Sequence, residues 1–407
     1  MHERRILPRH AEPALARLLE TFPVVVVTGA RQTGKSTLVR ERLPGERTYL
    51  TLDDVLLRDE ARRDPELFLD RGGRLIVDEV QRAPDLLLAI KRRVDERRER
   101  GRYVLTGSAD VLLQRDVAES LAGRAGYLRL SGLSRREQLG HGRVGLWSEL
   151  LTTPPDAWPD LLAASTVPAE PWEALAQRGG YPVPAHELAT ADQRQAWFAG
   201  YAATYLERDL RALSAVENLA DMRRLMTALC LRSGGLLNQA EVARDLGLAP
   251  STVQRFVNLL EVSYQVVRVP SFAVNRTRRL IKAPKVYWSD AGLALHLAGE
   301  STPRGVHLEN LVLADLLAWA GVDDRRPSVL HWRASSGAEV DFVVELPSHL
   351  LPVEVKATRR PTHADARHLR AFMADHPAAA GGLLLHGGDR LEWLDRGVLA
   401  APWWRVV

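Results

Sequence analysis

The stretch Val24–Leu38, VVVVTGARQTGKSTL, constrains this 407-residue chain more than any other. Four β-branched residues in a row, Val24 to Val27, suit a strand buried on both faces, since a half-exposed strand would alternate with polar residues. Gly29-x-x-x-x-Gly34-Lys35-Ser36 follows at once, and then Thr37 with a helical apolar pattern. Strand, glycine-bearing loop and helix in that order are the setting of a phosphate-binding loop. Gly29 and Gly34 let the backbone wrap closely and aim its N–H groups at phosphate oxygens. The helix beginning near Lys35 adds the positive end of its dipole. Lys35 is expected to reach the β- and γ-phosphates of a nucleotide, and the Ser36 hydroxyl to take a place on Mg²⁺. The candidate nucleotide-binding residues are Gly29, Ala30, Arg31, Gln32, Thr33, Gly34, Lys35, Ser36 and Thr37.

A second strong signal comes about 45 residues later in Arg74–Glu79, RLIVDE, an apolar strand ending in two acids. In enzymes with this loop the first acid of such a pair holds Mg²⁺, and the second suits a base that orients and deprotonates water. Asp78 and Glu79 are the candidates for those roles. On its own such a strand is equally a turn with solvated acids. Another apolar strand, Arg102–Thr106, places Thr106 and Ser108 where a polar side chain could sense the γ-phosphate. Between these strands, residues 84–100 form a charged helix whose Arg/Glu alternation reads as a solvated face. A helix is expected over 109–122 and a fifth strand over Tyr127–Leu130, with Arg124 just before it.

The order of these signals and the motifs TGARQTGKST, LIVDEVQ, YVLTGSAD and SLAGRAGYLRLSGLS are what place the stretch 22–132. It resembles an AAA+-type ATPase, and more narrowly the bacterial and archaeal AAA_14 ATPases with a DUF4143 partner. The resemblance implies a doubly wound parallel sheet, with an extra strand between the phosphate-loop strand and the Asp78–Glu79 strand. It also implies Mg²⁺ and ATP as cofactors, and self-association into an oligomer in which Arg124 is a candidate for a contact to a neighbour's phosphate. Arg124 is equally readable as a surface arginine.

Composition bounds the rest. The length suggests two or three domains, and 46% apolar residues suffice for real cores. No run of some 18 apolar residues exists, so no membrane partner is expected, and MHERRILPRH lacks the apolar centre of a secretory signal. A single cysteine, Cys230, excludes an intrachain disulfide and fits a reducing, cytoplasmic location. The net charge of +4 is compatible with nucleic acid without demanding it. Only five of the 55 basic residues are lysines: Lys35, Lys91, Lys282, Lys285 and Lys356. A lysine at a motif position therefore stands out, since arginine does not replace a compact ammonium.

Residues 141–170 carry Pro, Trp and Ala without a firm period and read as an irregular helical connector. A helical stretch over 197–232 suits the DUF4143 part of the resemblance. Asn238–Val262, NQAEVARDLGLAPSTVQRFVNLLEV, reads as helix, tight turn at Gly247 and a second helix capped at Ser251, a helix-turn-helix. Its second helix offers Ser251, Thr252, Gln254, Arg255 and Asn258, residue types able to reach base edges or phosphates. From Val262 to Ser289 there are six basic residues (Arg268, Arg276, Arg278, Arg279, Lys282, Lys285) and no acid. Strand-like alternation there suggests a basic β-hairpin wing that could meet DNA phosphates. The alternative is a winged helix that only packs on its neighbours.

The last third holds a second constellation. Glu309 lies in the first turn of a helix over 306–320, on the face that continues through Leu313, Leu316 and Leu317. Asp341 sits in the strand following Gly337, and Glu354 and Lys356 share one face of the next strand, after a turn at Pro347–Ser348. Asp341 and Glu354 from adjacent strands could bind one divalent metal, Glu309 could complete its shell, and Lys356 could orient a water. The four positions resemble the PD-(D/E)XK nuclease core, whose active and inactive versions both occur. An alternating strand with salt-bridged charges is the plain alternative.

The expected organisation is an α/β P-loop domain over 1–140, a helical connector over 141–200, a helical and winged-helix domain over 201–298 and a restriction-endonuclease-like α/β domain over 299–407. The expected function is an ATP-hydrolysing protein acting on DNA, by remodelling or metal-dependent cleavage. The alternative is a regulatory ATP switch that binds a protein partner or DNA and does not cut.

Overall fold

A computed structural model describes residues 6–107, 121–205 and 218–407, apart from the side chains of Arg278 and Leu280. It divides into two compact units. The first is residues 1–133 with 140–142 and 262–264; the second is 134–139, 143–261 and 265–407.

The first unit is built on a parallel sheet of β1 (Val24–Thr28), β2 (Thr48–Thr51), β3 (Leu75–Asp78), β4 (Tyr103–Thr106) and β5 (Ala125–Arg129). The strand order is β2-β3-β4-β1-β5, and every neighbouring pair is parallel. β4 is the extra strand expected between β1 and β3. Every residue of β1, β3 and β4 is buried, as strands covered on both faces require. Pro65 separates two helices, Val55–Arg63 and Pro65–Leu69, with Asp64 capping the second through Leu67 N. Proline fits there because the first helical position needs no N–H donor. The helix Asp85–Glu96 buries Leu86, Leu87, Ala89, Ile90 and Val94 and turns its charged face outward. The helix expected over 109–122 falls almost wholly on residues outside those described, as does Ser108.

The second unit centres on a mixed sheet ordered β12-β13-β11-β10-β9-β8. Its strands are β8 (Ser328–Arg333), β9 (Glu339–Leu346), β10 (His349–Lys356), β11 (Gly382–His386), β12 (Glu392–Asp395) and β13 (Val398–Pro402). β9 and β10 form the expected antiparallel pair, with Val353 opposite Phe342, while β10–β11 and β11–β13 are parallel. β8, which the sequence reading did not pick out, closes the far edge. The helix Gly305–Ala320 lays Leu308, Val312 and Leu316 into a core with Phe342, Val353 and Trp403. Trp147, Trp158 and Trp172, from the stretch read as a connector, sit in that same core. Aromatic area of this size is what a packed layer contributes, and a free linker leaves it in water.

The helix pair is present as expected. Gln239–Leu246 ends at Gly247 in the left-handed conformation (φ 66°), and Pro250–Val262 follows. Asn238 caps the first helix, accepting from Glu241 N at 3.2 Å. Ser251 is not a cap, because the second helix already begins at Pro250. The expected wing is partly corrected: β6 (Val266–Val269) and β7 (Lys285–Trp288) pair antiparallel, but a helix, Arg276–Ile281, lies in the connection between them.

Candidate active site

The parallel register sets the first site. The C-terminal ends of β1, β3 and β4 lie side by side, so the phosphate loop, Asp78 and Thr106 converge from three strands. Gly29 adopts φ 145° beneath Leu130, and a Cβ there would strike the Leu130 carbonyl. Gly34 (φ 92°) turns the chain into the helix Lys35–Glu41, which carries Ser36 and Thr37 in its first turn. Gln32 is also left-handed, at φ 63°. Non-glycine residues there cost strain of about 1 kcal/mol or more and concentrate at ligand loops.

Lys35 is buried, its ammonium donating to Gly29 O (3.1 Å) and Ala30 O (2.8 Å) inside the loop. Thr33 Oγ1 donates to Ala30 O (2.9 Å). Arg9 straps the loop from outside, donating to Thr33 O (2.9 Å) and to Ser131 O (2.7 Å). No motif marks Arg9, and its role is visible only in three dimensions.

Across the loop, Ser36 Oγ donates to Asp78 Oδ1 at 3.1 Å. The two expected Mg²⁺ ligands therefore meet although 42 residues separate them. Asp78 also accepts from Thr106 Oγ1, and from Tyr49 Oη at 2.6 Å. Burial and the Asp78 carboxylate push the Tyr49 phenol well above its ordinary range, so it stays a donor. Thr106 is fully buried and Glu79 N donates to it at 3.3 Å, which makes Thr106 a holder of both acids. Glu79 itself is left-handed (φ 58°), which swings its side chain away from the strand direction, and Gln81 Nε2 donates to its Oε2. A hydroxyl beside a carboxylate, with a buried ammonium in a glycine loop, fits Mg²⁺ and a nucleotide polyphosphate. Arg124 is engaged within its own chain, with both guanidinium arms on Asp95 at 2.6 and 2.9 Å.

The second constellation also assembles, with an addition. Glu309, Asp341, Glu354 and Lys356 face one another, and Lys285 of β7 enters among them. The Lys285 ammonium, 2% exposed, lies 3.0 Å from Asp341 Oδ1 and 2.5 Å from Glu339 Oε1. Asp341 Oδ2 accepts from Val355 N at 3.0 Å. Lys356 Nζ donates to Glu354 Oε1 at 2.6 Å, and Tyr287 Oη to Glu309 Oε2 at 3.1 Å. Glu354 Oε2 is buried without a hydrogen-bond partner. Burial, and then the charge on Asp341, push the Glu309 and Glu354 carboxyls far above the carboxylate range, favouring their protonated forms. Lys285 moves the other way: burial works against its charge, but Asp341, Glu309 and Glu339 more than offset it and hold the ammonium on.

Among the described residues, no three His, Cys, Asp or Glu side chains are arranged to hold a metal ion. The donor set agrees with that. The cation beside Asp341 is an ammonium of the chain itself. As placed, Glu309, Asp341 and Glu354 do not form the metal shell expected of them.

Three of the six basic residues in the run before this site are held in ion pairs. Arg279 holds Glu345 with both arms at 2.6 and 2.7 Å, Arg268 pairs with Glu261, and Lys285 is the buried cation just described. Arg276 and Lys282 remain exposed. On the second helix of the pair, Ser251, Gln254 and Arg255 are exposed, while Asn258 accepts from Arg268 at 3.1 Å.

Comparison with known proteins agrees with the first site. Residues 21–139 match the family described as AAA domain (AAA_14), residues 169–304 a domain of unknown function (DUF8612) and residues 304–406 a domain of unknown function (DUF4143). "Uncharacterized protein Rv2008c" of Mycobacterium tuberculosis is 32% identical over 405 residues, covering 97% of this chain and 83% of its own length. "Uncharacterized protein Mb2031c" of Mycobacterium bovis matches to the same extent. The chain belongs to the AAA_14–DUF4143 family of AAA-type P-loop ATPases. Among solved structures, the Walker-type ATPase PABY2304 of Pyrococcus abyssi is 17% identical with a TM-score of 0.44, over 72% of this chain and 99% of its own. In this AAA-type ATPase the DUF4143 match begins at 304, so residues 197–232 lie in the DUF8612 region and not in the DUF4143 part expected from sequence.

Proposed function

We propose that this ATPase binds Mg²⁺–ATP at the phosphate loop and hydrolyses it, with Glu79 as the base. The observation that carries this reading is the 3.1 Å contact between Ser36 Oγ and Asp78 Oδ1, with Glu79 next along the same strand end. Lys35 would leave the Gly29 and Ala30 carbonyls to meet the β- and γ-phosphates, while Ser36 and Asp78 would hold Mg²⁺. When bound, Mg²⁺ supplies charge neutralisation for the transferring phosphoryl group. Tyr49 and Thr106 fix the Asp78 carboxylate, so the geometry exists before the nucleotide arrives. The test is binding of a fluorescent ATP analogue. Wild type should bind it in a Mg²⁺-dependent way and Lys35→Ala should not; equal binding by both would remove the phosphate loop from the account.

For the rest of the chain, the observations favour a switch over a cutting enzyme. Lys285 beside Asp341 supports a nuclease-like site that does not cleave. DNA remains the partner we propose, through the exposed face of Ser251, Gln254 and Arg255. Stimulation of ATP turnover by duplex DNA, lost on Gln254→Ala/Arg255→Ala, is the expected result. Turnover indifferent to DNA would point to a protein partner instead.

A further inference from the structure

We propose that a cleft at the edge of the second unit binds a ligand carrying adjacent phosphate groups. The cleft, of about 580 Å³, is lined by Thr358, Arg359, Arg360, Asp389 and Arg390. Three guanidinium groups face one carboxylate there, an excess of positive charge in a concave site. Among the described residues, these three guanidiniums make no hydrogen bond or ion pair. Elsewhere in the molecule Arg93, Arg124 and Arg279 are each clamped by acids.

The position suits a ligand. The cleft lies just past the C-terminal ends of β10 and β11, which run parallel with Lys356 opposite His386. Beyond the carboxyl ends of parallel strands is where sheets of this kind take their ligands. It is also a built site, because the two loops that carry the arginines are locked together. Gly387 N donates to Thr358 O at 3.0 Å. Gly388 packs so closely that a Cβ would strike the Arg359 carbonyl. His386 is fully buried between the loops, its Nδ1 accepting from Gly388 N (3.0 Å) and its Nε2 bonded to Arg390 O (2.9 Å). That fixes the tautomer, with the proton on Nε2. Thr358 Oγ1 accepts from Arg360 N at 3.3 Å.

The chemistry points to phosphate. Guanidinium forks match phosphate oxygens two at a time, and three of them serve more than one phosphate group. No aromatic ring lines the cleft, so nothing there would stack on a base, and recognition would rest on the phosphates alone. Free oligophosphate and the backbone of a nucleic-acid strand share this chemistry.

The test uses the full chain with Lys35→Ala throughout, so that the phosphate loop does not report. Inorganic pyrophosphate is followed by calorimetry and a labelled single-stranded oligodeoxynucleotide by anisotropy. The test protein adds Arg359→Ala/Arg390→Ala. A control adds Arg223→Ala/Arg396→Ala, which removes the same charge from exposed positions elsewhere in the unit. Loss of two charged contacts should weaken binding of at least one probe by about tenfold or more, with the control unchanged. For the oligonucleotide, the salt slope should also fall by about 1.4. An arginine-dependent loss for pyrophosphate assigns the site to a free oligophosphate, and a loss for the strand alone assigns it to nucleic acid. If neither probe binds, or if test and control proteins bind both equally, the proposal is overturned.

Discussion

The Lys285 ammonium lies 3.0 Å from Asp341 Oδ1, buried between β7 and β9. A metal-dependent site needs a cation at Asp341, and here the chain supplies one of its own. Removing one partner of a buried pair leaves the other charge uncompensated. Lys285→Ala should therefore lower stability by about 3–5 kcal/mol, read by chemical denaturation. It should also open the place to a divalent ion, so Mn²⁺ should raise the melting temperature of Lys285→Ala more than that of wild type, in which Ser36 and Asp78 offer the same first site. An equal rise in the two proteins would mean that Lys285 does not keep metal from Asp341.

Arg279 is tied into the second unit by Glu345, from which we predict no part for it in DNA binding. Both of its arms are on Glu345, and both side chains are largely buried. Arg279→Ala should cost about 2 kcal/mol through the charged hydrogen bonds lost. It should leave any DNA affinity within experimental error of wild type. A normal denaturation midpoint with a weakened DNA complex would return Arg279 to the DNA surface.

His331 couples the stability of this sheet to pH. Burial, reinforced by the charges of Lys285 and Lys282, lowers its pKa from 6.5 to about 4. The unfolded chain therefore binds a proton that the native state refuses as pH falls through this window. Stability should drop by about 3 kcal/mol between pH 6.5 and pH 4 on account of this one residue. Other buried histidines, His307 and His386 among them, add in the same direction. Comparing wild type with His331→Asn isolates the effect: the wild-type curve should fall more steeply by one proton. Parallel curves would show that His331 is protonated in the folded protein or does not control the slope.

Much of the first site could be read from the chain because its determinants are local. The buried run Val24–Val27, the two glycines and Lys35-Ser36 specify strand, loop and helix within fifteen residues. The acid pair at 78–79 marks its own strand end. What sequence could not supply were the partners brought in by folding: Arg9 on the loop, Tyr49 on Asp78, and Asp95 on Arg124. The C-terminal carboxylates were legible for the same local reason, since Glu354 and Lys356 alternate on one strand and Asp341 lies in the next. Lys285 was visible only as one charge in an acid-free run. Acids distant in sequence, Glu339 and Asp341, define its environment, so local composition could not show that Lys285 is a buried, paired cation. The tryptophans of residues 141–172 misled in the opposite way, because aperiodic helices bury side chains without displaying a pattern.

The central claim is that Glu79 activates water beside a nucleotide held by Lys35, Ser36 and Asp78. Its most direct test is single-turnover hydrolysis of ATP by wild type and Glu79→Gln, with binding measured on the same samples. The amide keeps the shape and leaves Asp78 in place, so nucleotide affinity should stay within about threefold of wild type, below 1 kcal/mol. The hydrolysis step should slow by about 10²–10⁴-fold, the usual worth of a positioned base. Hydrolysis by Glu79→Gln at the wild-type rate, with binding intact, would contradict the account.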